Sequence, residues 1–238
     1  MSTVGIMQPY FFPYLGYFQL IASVDSGIVF DIVKYKRKSW MNRNRILNAS
    51  GGWQYINVPV KASEGTLIKD AVVIDPVAAQ RLIQGRLQHY RNKAPFYREV
   101  MQLVDGVFTS TRTPGIGDLN TRSISAVCEY LDLDFNWSTC SQMELDLPPI
   151  EHAGQWALEI SSRLGARRYV NLPGGREIFV PQEWDSRGIE LRFISPSSFV
   201  YPTPAYSFEE NLSILDVLMW NPPQLVSRYI EEHTRVVP

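Results

Sequence analysis

The chain has 238 residues and a mass of 27.2 kDa, is 45% hydrophobic and 20% charged, and sets 23 Lys and Arg against 24 Asp and Glu for a net charge of −1. A chain of this length buries roughly 70% of its unfolded surface, so it needs no metal or disulfide to hold a core. The charge balance excludes a globally basic nucleic-acid coat and a strongly acidic shell, and leaves only local patches to point to a partner.

Residues 3–7 form a short apolar run closed by Gln8 and Pro9, which predicts a buried strand ending in a loop. Residues 16–24 carry Phe18, Ile21 and Ala22 at helical spacing, and Asp25, Ser26 and Gly27 stop them before a second apolar run at 28–33. Strand, helix and strand in this order predict a βαβ unit with parallel strands, whose carboxyl ends share one edge. Residues 1–24 carry no charged side chain, yet Pro9, Pro13, Gln8 and Gln19 rule against a membrane span. A secretory signal would need a basic start and a small-residue cleavage site, so a cytoplasmic chain is expected.

Residues 53–60 alternate as a strand, as do 67–74, and both are expected to extend the sheet. Helices are predicted over 77–90, from Pro95 through 104, and over 119–131, making the middle of the chain, near 77–131, mainly helical. A short strand near 135–139, a helix over 152–164 and a strand at 168–171 follow. Pro173, Gly174 and Gly175 turn the chain into 177–180, residues 189–194 alternate as a further strand, and two helices, 213–220 and 224–232, flank a Pro222-Pro223 break. The order predicts an α/β fold with a parallel-sheet three-layer core and helical insertions, in one domain over residues 1–238.

No CxxC, HExxH, GxSxG, GxxxxGK[ST] or GxGxxG pattern occurs, and the two cysteines, Cys128 and Cys140, stand alone, so no metal ligands are predicted. Two isolated thiols suit a reducing compartment. The chemistry must lie in less familiar residues.

The loop after the first strand is the first candidate, because ligands of open parallel sheets bind beyond the strands' carboxyl ends and a helix start there offers free N–H groups. Six of residues 10–18 are aromatic. Phe11, Phe12 and Phe18 are expected to plug the core, while Tyr10, Tyr14 and Tyr17 are candidates to stack a base or a sugar, with Gln8 beside them and Gly16 leaving room for a phosphate. Asp31, carried by the second strand to the edge that holds Gln8, is a candidate base, with a paired or capping carboxylate as the plain alternative. Residues 34–45 then place Lys34, Lys36, Arg37, Lys38, Arg43 and Arg45 in twelve positions without an acid. Interleaved Tyr35, Trp40, Asn42 and Asn44 add stacking and amide hydrogen bonds, a mixture suited to a nucleotide diphosphate or an RNA backbone. Asn120 is read as a helix cap, and Asp216, amid apolar neighbours, as a carboxylate with a fixed partner.

Tyr14-Leu15-Gly16-Tyr17 is similar in place to the HxGH region of nucleotidyltransferase-like (HUP) proteins, pantothenate synthetase among them. Tyrosine replaces both histidines, so the likeness implies a fold and not nucleotidyl transfer. The opening IMQPYFFPYLGYFQLI, with Tyr35, Trp40, NRNRIL, KAPFY, YVNLPGG and LSILDVLMWN, resembles the WbqC-like family over nearly the whole chain. That resemblance implies bacterial O-antigen or related lipopolysaccharide biosynthesis, with a glycine transferase role suggested for members. With the residues, it leads to an acyl or aminoacyl transferase, or an ATP-dependent amide-forming enzyme, that modifies the amino group of a nucleotide-linked sugar. In it Asp31, Tyr14 and Tyr17 act on the reacting groups while Gln8, Tyr10, Gly16, Tyr35, Arg37, Lys38, Trp40, Asn42, Arg43, Asn44 and Arg45 bind substrate. ATP, a coenzyme A thioester and an aminoacyl-tRNA stay open as donors. The alternatives are a non-catalytic nucleotide-sugar or RNA-binding scaffold and a nucleotidyltransferase-like enzyme.

Overall fold

The computed structural model describes residues 2–111, 113–195 and 197–238. In chain order the elements are β1 (Thr3–Met7), α1 (Leu15–Ala22), β2 (Ser26–Val29), β3 (Arg43–Leu47), β4 (Trp53–Asn57), β5 (Val60–Lys61), β6 (Val72–Val73), α2 (Pro76–Leu87), α3 (Tyr97–Ser110), α4 (Ile116–Leu131), β7 (Trp137–Thr139), α5 (Gln155–Arg163), β8 (Arg168–Asn171), α6 (Pro181–Ser186), β9 (Glu190–Ile194), α7 (Ile214–Trp220), α8 (Pro223–His233) and β10 (Val236–Val237).

Six strands make the central sheet in the order β10-β9-β8-β1-β2-β7, with β10 antiparallel and the others parallel. Side chains alternate across it. Val4, Ile6, Ile28, Tyr169 and Phe193 face a core shared with α5 and α6. Met7, Val170 and Ile194 face a larger core built on α1, the helices of the chain's middle, α7 and α8. Helices therefore cover both faces, a three-layer arrangement. Trp137 lies flat across the sheet only because its register partner is Gly27: a Cβ there would stand 2.3 Å from the indole.

Two expectations change. Residues 53–60 and 67–74 do not extend the sheet. Residues 53–57 pair instead with Arg43–Leu47 in a separate antiparallel hairpin. The 67–74 run breaks into a 3₁₀ turn, Ile68–Asp70, and a two-residue strand paired with β5. The hairpin's first strand hides inside the cationic run because its inward positions are Asn44 and Ile46, so only one of them looks apolar. Residues 177–180, into which the Pro173-Gly174-Gly175 turn leads, belong to and follow a 3₁₀ turn, Pro173–Ile178. Among the described residues no helix is long and apolar enough to cross a membrane.

Candidate functional site

Strands β1 and β8 are neighbours whose onward connections leave in opposite directions, β1 toward β2 and β7, β8 toward β9 and β10. Numbered along the chain, the six strands give the doubly wound order 3-2-1-4-5-6 read from the other edge. Loops diverge beyond this switch point and leave a crevice. A cleft of about 1030 Å³ opens there. One wall is the loop from Gln8 to Tyr14 with the start of α1, and the facing wall is Asn171 with Gly174 and Gly175 just beyond β8. Trp40, Asn44 and Arg45 close one end, residues 197–199 and 208–212 line another side, and Trp156 and Phe179 contribute apolar surface.

The aromatic loop is held rigidly. Phe11 and Phe12 are fully buried, as expected. Phe12 has φ 39°, a left-handed conformation unusual for a residue with a side chain. Its N–H donates to Ser123 Oγ at 3.3 Å, and its carbonyl accepts from Asn44 Nδ2 at 2.8 Å and from Ser213 Oγ at 2.7 Å. Asn44 also reaches the Phe11 carbonyl at 3.0 Å, and the Phe11 N–H donates to the Trp40 carbonyl at 2.9 Å. Asn120 is not a cap: fully buried inside α4, it donates to the carbonyls of Pro9 (2.8 Å) and Met41 (2.7 Å). The aromatic loop and the end of the cationic run therefore meet in space. So many restraints on one strained residue over-determine its backbone, as in preorganised sites.

Tyr10, Tyr14 and Tyr17 form a ring cluster, with centroids 5.2 Å apart for Tyr10–Tyr17 and 5.8 Å for Tyr14–Tyr17. Burial raises all three phenols above the ordinary tyrosine range, Tyr17 most strongly. At physiological pH they are neutral, so they donate hydrogen bonds and stack but do not abstract protons. The Tyr10 hydroxyl donates to Gln8 Oε1 at 3.3 Å. The Tyr14 ring covers Gly16, where a Cβ would stand 2.4 Å from it, so that glycine makes room for a tyrosine before any phosphate. No acidic side chain occupies the first turn of α1 and no side chain caps it, which leaves its N-terminal dipole unopposed from within the helix.

The cationic run divides. Arg45 lies on the cleft and reaches over the rings of Trp40 (5.5 Å) and Trp53 (5.2 Å), while Arg43 lies over Tyr55 (4.0 Å), outside the cleft lining. Tyr35, Arg37 and Lys38 are also outside it: the Tyr35 N–H donates to the Thr66 carbonyl at 2.8 Å and Arg37 donates to the Ala62 carbonyl. Asn42 spends its amide on the Val58 carbonyl at 3.2 Å. Among the described residues none of Lys34, Lys36, Arg37, Lys38, Arg43 and Arg45 is in an ion pair.

Asp31 reaches the expected edge, since the Phe30 N–H donates to the Met7 carbonyl at 2.7 Å, but its carboxylate turns away from the cleft. It accepts from the Ser141 N–H at 2.9 Å and from the Ser141 hydroxyl, tying the second strand to the turn after β7. Asp216 has the fixed partners its apolar setting demands: the Tyr90 hydroxyl and the Tyr201 hydroxyl (2.7 Å) both donate to it. Burial raises its carboxyl above the ordinary range, against the lowering effect of those donors.

Among the described residues no histidine or cysteine lines the cleft, and no cluster of His, Cys, Asp and Glu suits a metal. Burial pushes the Cys128 and Cys140 thiols up to about 12 and about 11, which disfavours the thiolate in both. The carboxylates that do line the cleft are Glu209 and Glu210, the latter accepting from Ser198 Oγ at 2.8 Å. Sequence reasoning missed both, together with Asn171 and the serines. The glycine pair after β8 was the available signal, and its turn chemistry concealed it.

The fold and the cleft define a doubly wound α/β protein with an aromatic, arginine-bearing crevice at its switch point. The profile of the WbqC-like protein family matches residues 8–228, and the chain belongs to that family. It is 28% identical over 221 residues to "Uncharacterized protein Rv1507c" of Mycobacterium tuberculosis, covering 92% of this chain and 93% of that one. No solved structure matches the chain.

Proposed function

We propose that the cleft binds a nucleotide-linked amino sugar and that the protein transfers an acyl or aminoacyl group, such as glycyl, to its amino group, in bacterial surface-polysaccharide (O-antigen) biosynthesis. One observation carries this reading: the switch-point cleft combines stacking tyrosines with a cation, Arg45, that among the described residues has no carboxylate partner. Arg45 and the start of α1 suit a diphosphate, and Tyr10 and Tyr14 suit a base or sugar ring. The sheet order supports a nucleotidyltransferase-like (HUP) arrangement, and the family resemblance supports the polysaccharide setting.

An amino group is largely protonated at neutral pH and must lose a proton to attack. Glu209 and Glu210 are the carboxylates at hand in the cleft, and we assign the proton to one of them, with Asp31 supporting the edge. The amine then attacks the donor carbonyl, the carbon–nitrogen bond forms and the donor's leaving group departs. Tyr14, kept neutral, donates to the oxygen that gains charge, and Tyr17, whose hydroxyl donates to the Gln8 carbonyl at 3.4 Å, positions it through their ring contact.

The test is incubation of the protein with UDP- and dTDP-linked amino sugars and, in turn, acyl-coenzyme A, amino acid with ATP, and aminoacyl-tRNA, followed by mass spectrometry. An N-acylated sugar nucleotide supports transfer. Binding without product from any donor favours a non-catalytic scaffold, a reading that draws on the turning away of Asp31 from the cleft.

A further inference from the structure

We infer that the outward face of the β3–β4 hairpin is a docking platform for single-stranded RNA, occupied by the unpaired 3′ end of an aminoacyl-tRNA whose ester enters the adjoining cleft. The choice of donor rests on the transferase reading above; the platform rests on the hairpin itself.

Register places Arg45 opposite Tyr55 and Leu47 opposite Trp53, and directly opposed residues share a face. Arg43, Arg45, Tyr55 and Trp53 therefore project together, while Ile46 and Ile56 go to the core. The face is partly open: Leu47 is buried beneath it and Arg43, Arg45 and Tyr55 are half-buried, but Trp53 is 40% exposed and Trp40 39%. Trp53 and Tyr55 meet edge to face at 5.0 Å, and the guanidinium groups lie over these rings. Sequence-tolerant binding of a single strand needs aromatic faces for the bases and cations along the backbone, which is this alternation.

Charge selects among ligands. Among the described residues Arg43 and Arg45 have no carboxylate partner, and the preceding turn, closed by Ser39 Oγ donating to the Lys36 carbonyl at 2.6 Å, leaves Lys36, Arg37 and Lys38 exposed. Glu209 lies near the hairpin's tip at Gly52. A neutral glycan would use the rings and leave the cations idle, and an RNA duplex offers no unstacked bases to the rings. An unpaired RNA strand uses both.

Continuity supplies the rest. Trp40 and Arg45 also line the cleft, so a strand following the platform ends where the acyl acceptor is proposed to sit. An RNA that ends in a single strand and carries a reactive acyl ester is an aminoacyl-tRNA. The acceptor nitrogen attacks the ester carbonyl and the carbon–nitrogen bond forms. The carbon–oxygen bond to the terminal ribose breaks, and the amine's proton reaches the ribose oxygen. Amide and deacylated tRNA are the products, with no further reactant.

Fluorescence anisotropy with the full chain tests this, using labelled deacylated tRNA with its CCA end intact and the same tRNA with that end removed. The intact end should bind about ten-fold tighter or more, and Trp53→Ala should remove most of that advantage. Arg43→Gln should flatten the slope of log K against log salt by about 0.7. Thermal shift by an amino-sugar nucleotide should persist in Trp53→Ala, since Trp53 does not line the cleft, and this also reports that the variant folds. Equal binding of both tRNAs, or no effect of either variant, overturns the platform while leaving the transferase reading standing. End-dependent tRNA binding without any response to amino-sugar nucleotides supports the platform and removes the transferase reading.

Discussion

The side-chain amide of Asn44 donates to the carbonyl of Phe12 at 2.8 Å, and by that bond a residue of the cationic run fixes the strained turn of the aromatic loop. The same amide holds the Phe11 carbonyl, and both phenylalanines are fully buried. The Phe11 carbonyl thus depends on this side chain, and the Phe12 carbonyl shares it with Ser213 Oγ. Asn44→Ala should cost about 1–3 kcal/mol, the penalty of stranding a buried acceptor, and should weaken cleft ligands as the loop relaxes. Urea unfolding together with ligand titration measures both. Loss of stability below about 0.5 kcal/mol would show that the loop does not need this tether.

Gly27→Ala forces a methyl into the Trp137 indole, 2.3 Å away, inside a parallel sheet that cannot easily part. Destabilisation of about 2 kcal/mol or more is expected by chemical denaturation, as for other overpacked cores. Gly106→Ala meets nothing within 4 Å and should be neutral or slightly stabilising, which serves as the control.

Alkaline pH should unfold the protein cooperatively. Burial raises the phenols of Tyr17, Tyr90, Tyr169 and Tyr201 above the unfolded value. The folded state therefore keeps these protons after the unfolded chain has begun to lose them. Their contribution is fully present below pH about 10 and is lost as pH rises toward the folded values, at about 1.4 kcal/mol per pH unit for each such group. A Tm falling steeply above pH 10, with tyrosinate absorbance appearing only as the fold is lost, is expected. Tyrosinate forming in the intact fold would contradict the burial of these rings.

Asp31→Ala should lower stability by about 2 kcal/mol, since the Ser141 N–H and hydroxyl both lose a charged acceptor. Affinity for cleft ligands should change less than about two-fold, because the carboxylate lies outside the lining. Glu209→Gln and Glu210→Gln should behave in the opposite way, sparing stability and lowering turnover. A loss of turnover in Asp31→Ala with unchanged stability would return the proton to Asp31.

Much of the fold was legible in the residues because the main-sheet strands carry their own period. Thr3–Met7 and Glu190–Ile194 are apolar on their buried positions and end at clear turn signals. The hairpin was not legible, since β3 offers Arg-Asn-Arg where a strand's inward side chain is usually apolar; Asn44 is buried for its hydrogen bonds, not for its hydrophobicity. The stacking tyrosines and Arg45 could be found by composition and chain position alone. Glu209, Glu210 and Asn171 could not, because they are distant in sequence from the aromatic loop: the pairing of β8 with β1 carries Asn171 to its side, and the glutamates come from the segment between β9 and α7. Asp31 shows the complementary limit: the strand register placed its backbone at the edge, but a rotamer and one serine decided which way its carboxylate faces.

Isothermal titration of the full chain with a UDP- or dTDP-linked amino sugar, repeated with Tyr14→Ala and Arg45→Ala, tests the central claim most directly. Saturable binding at one site, weakened about ten-fold or more by either substitution while both variants still unfold cooperatively, is the expected result. No heat with either nucleotide sugar, or binding that both substitutions leave intact, would contradict the assignment of the switch-point cleft as the substrate site.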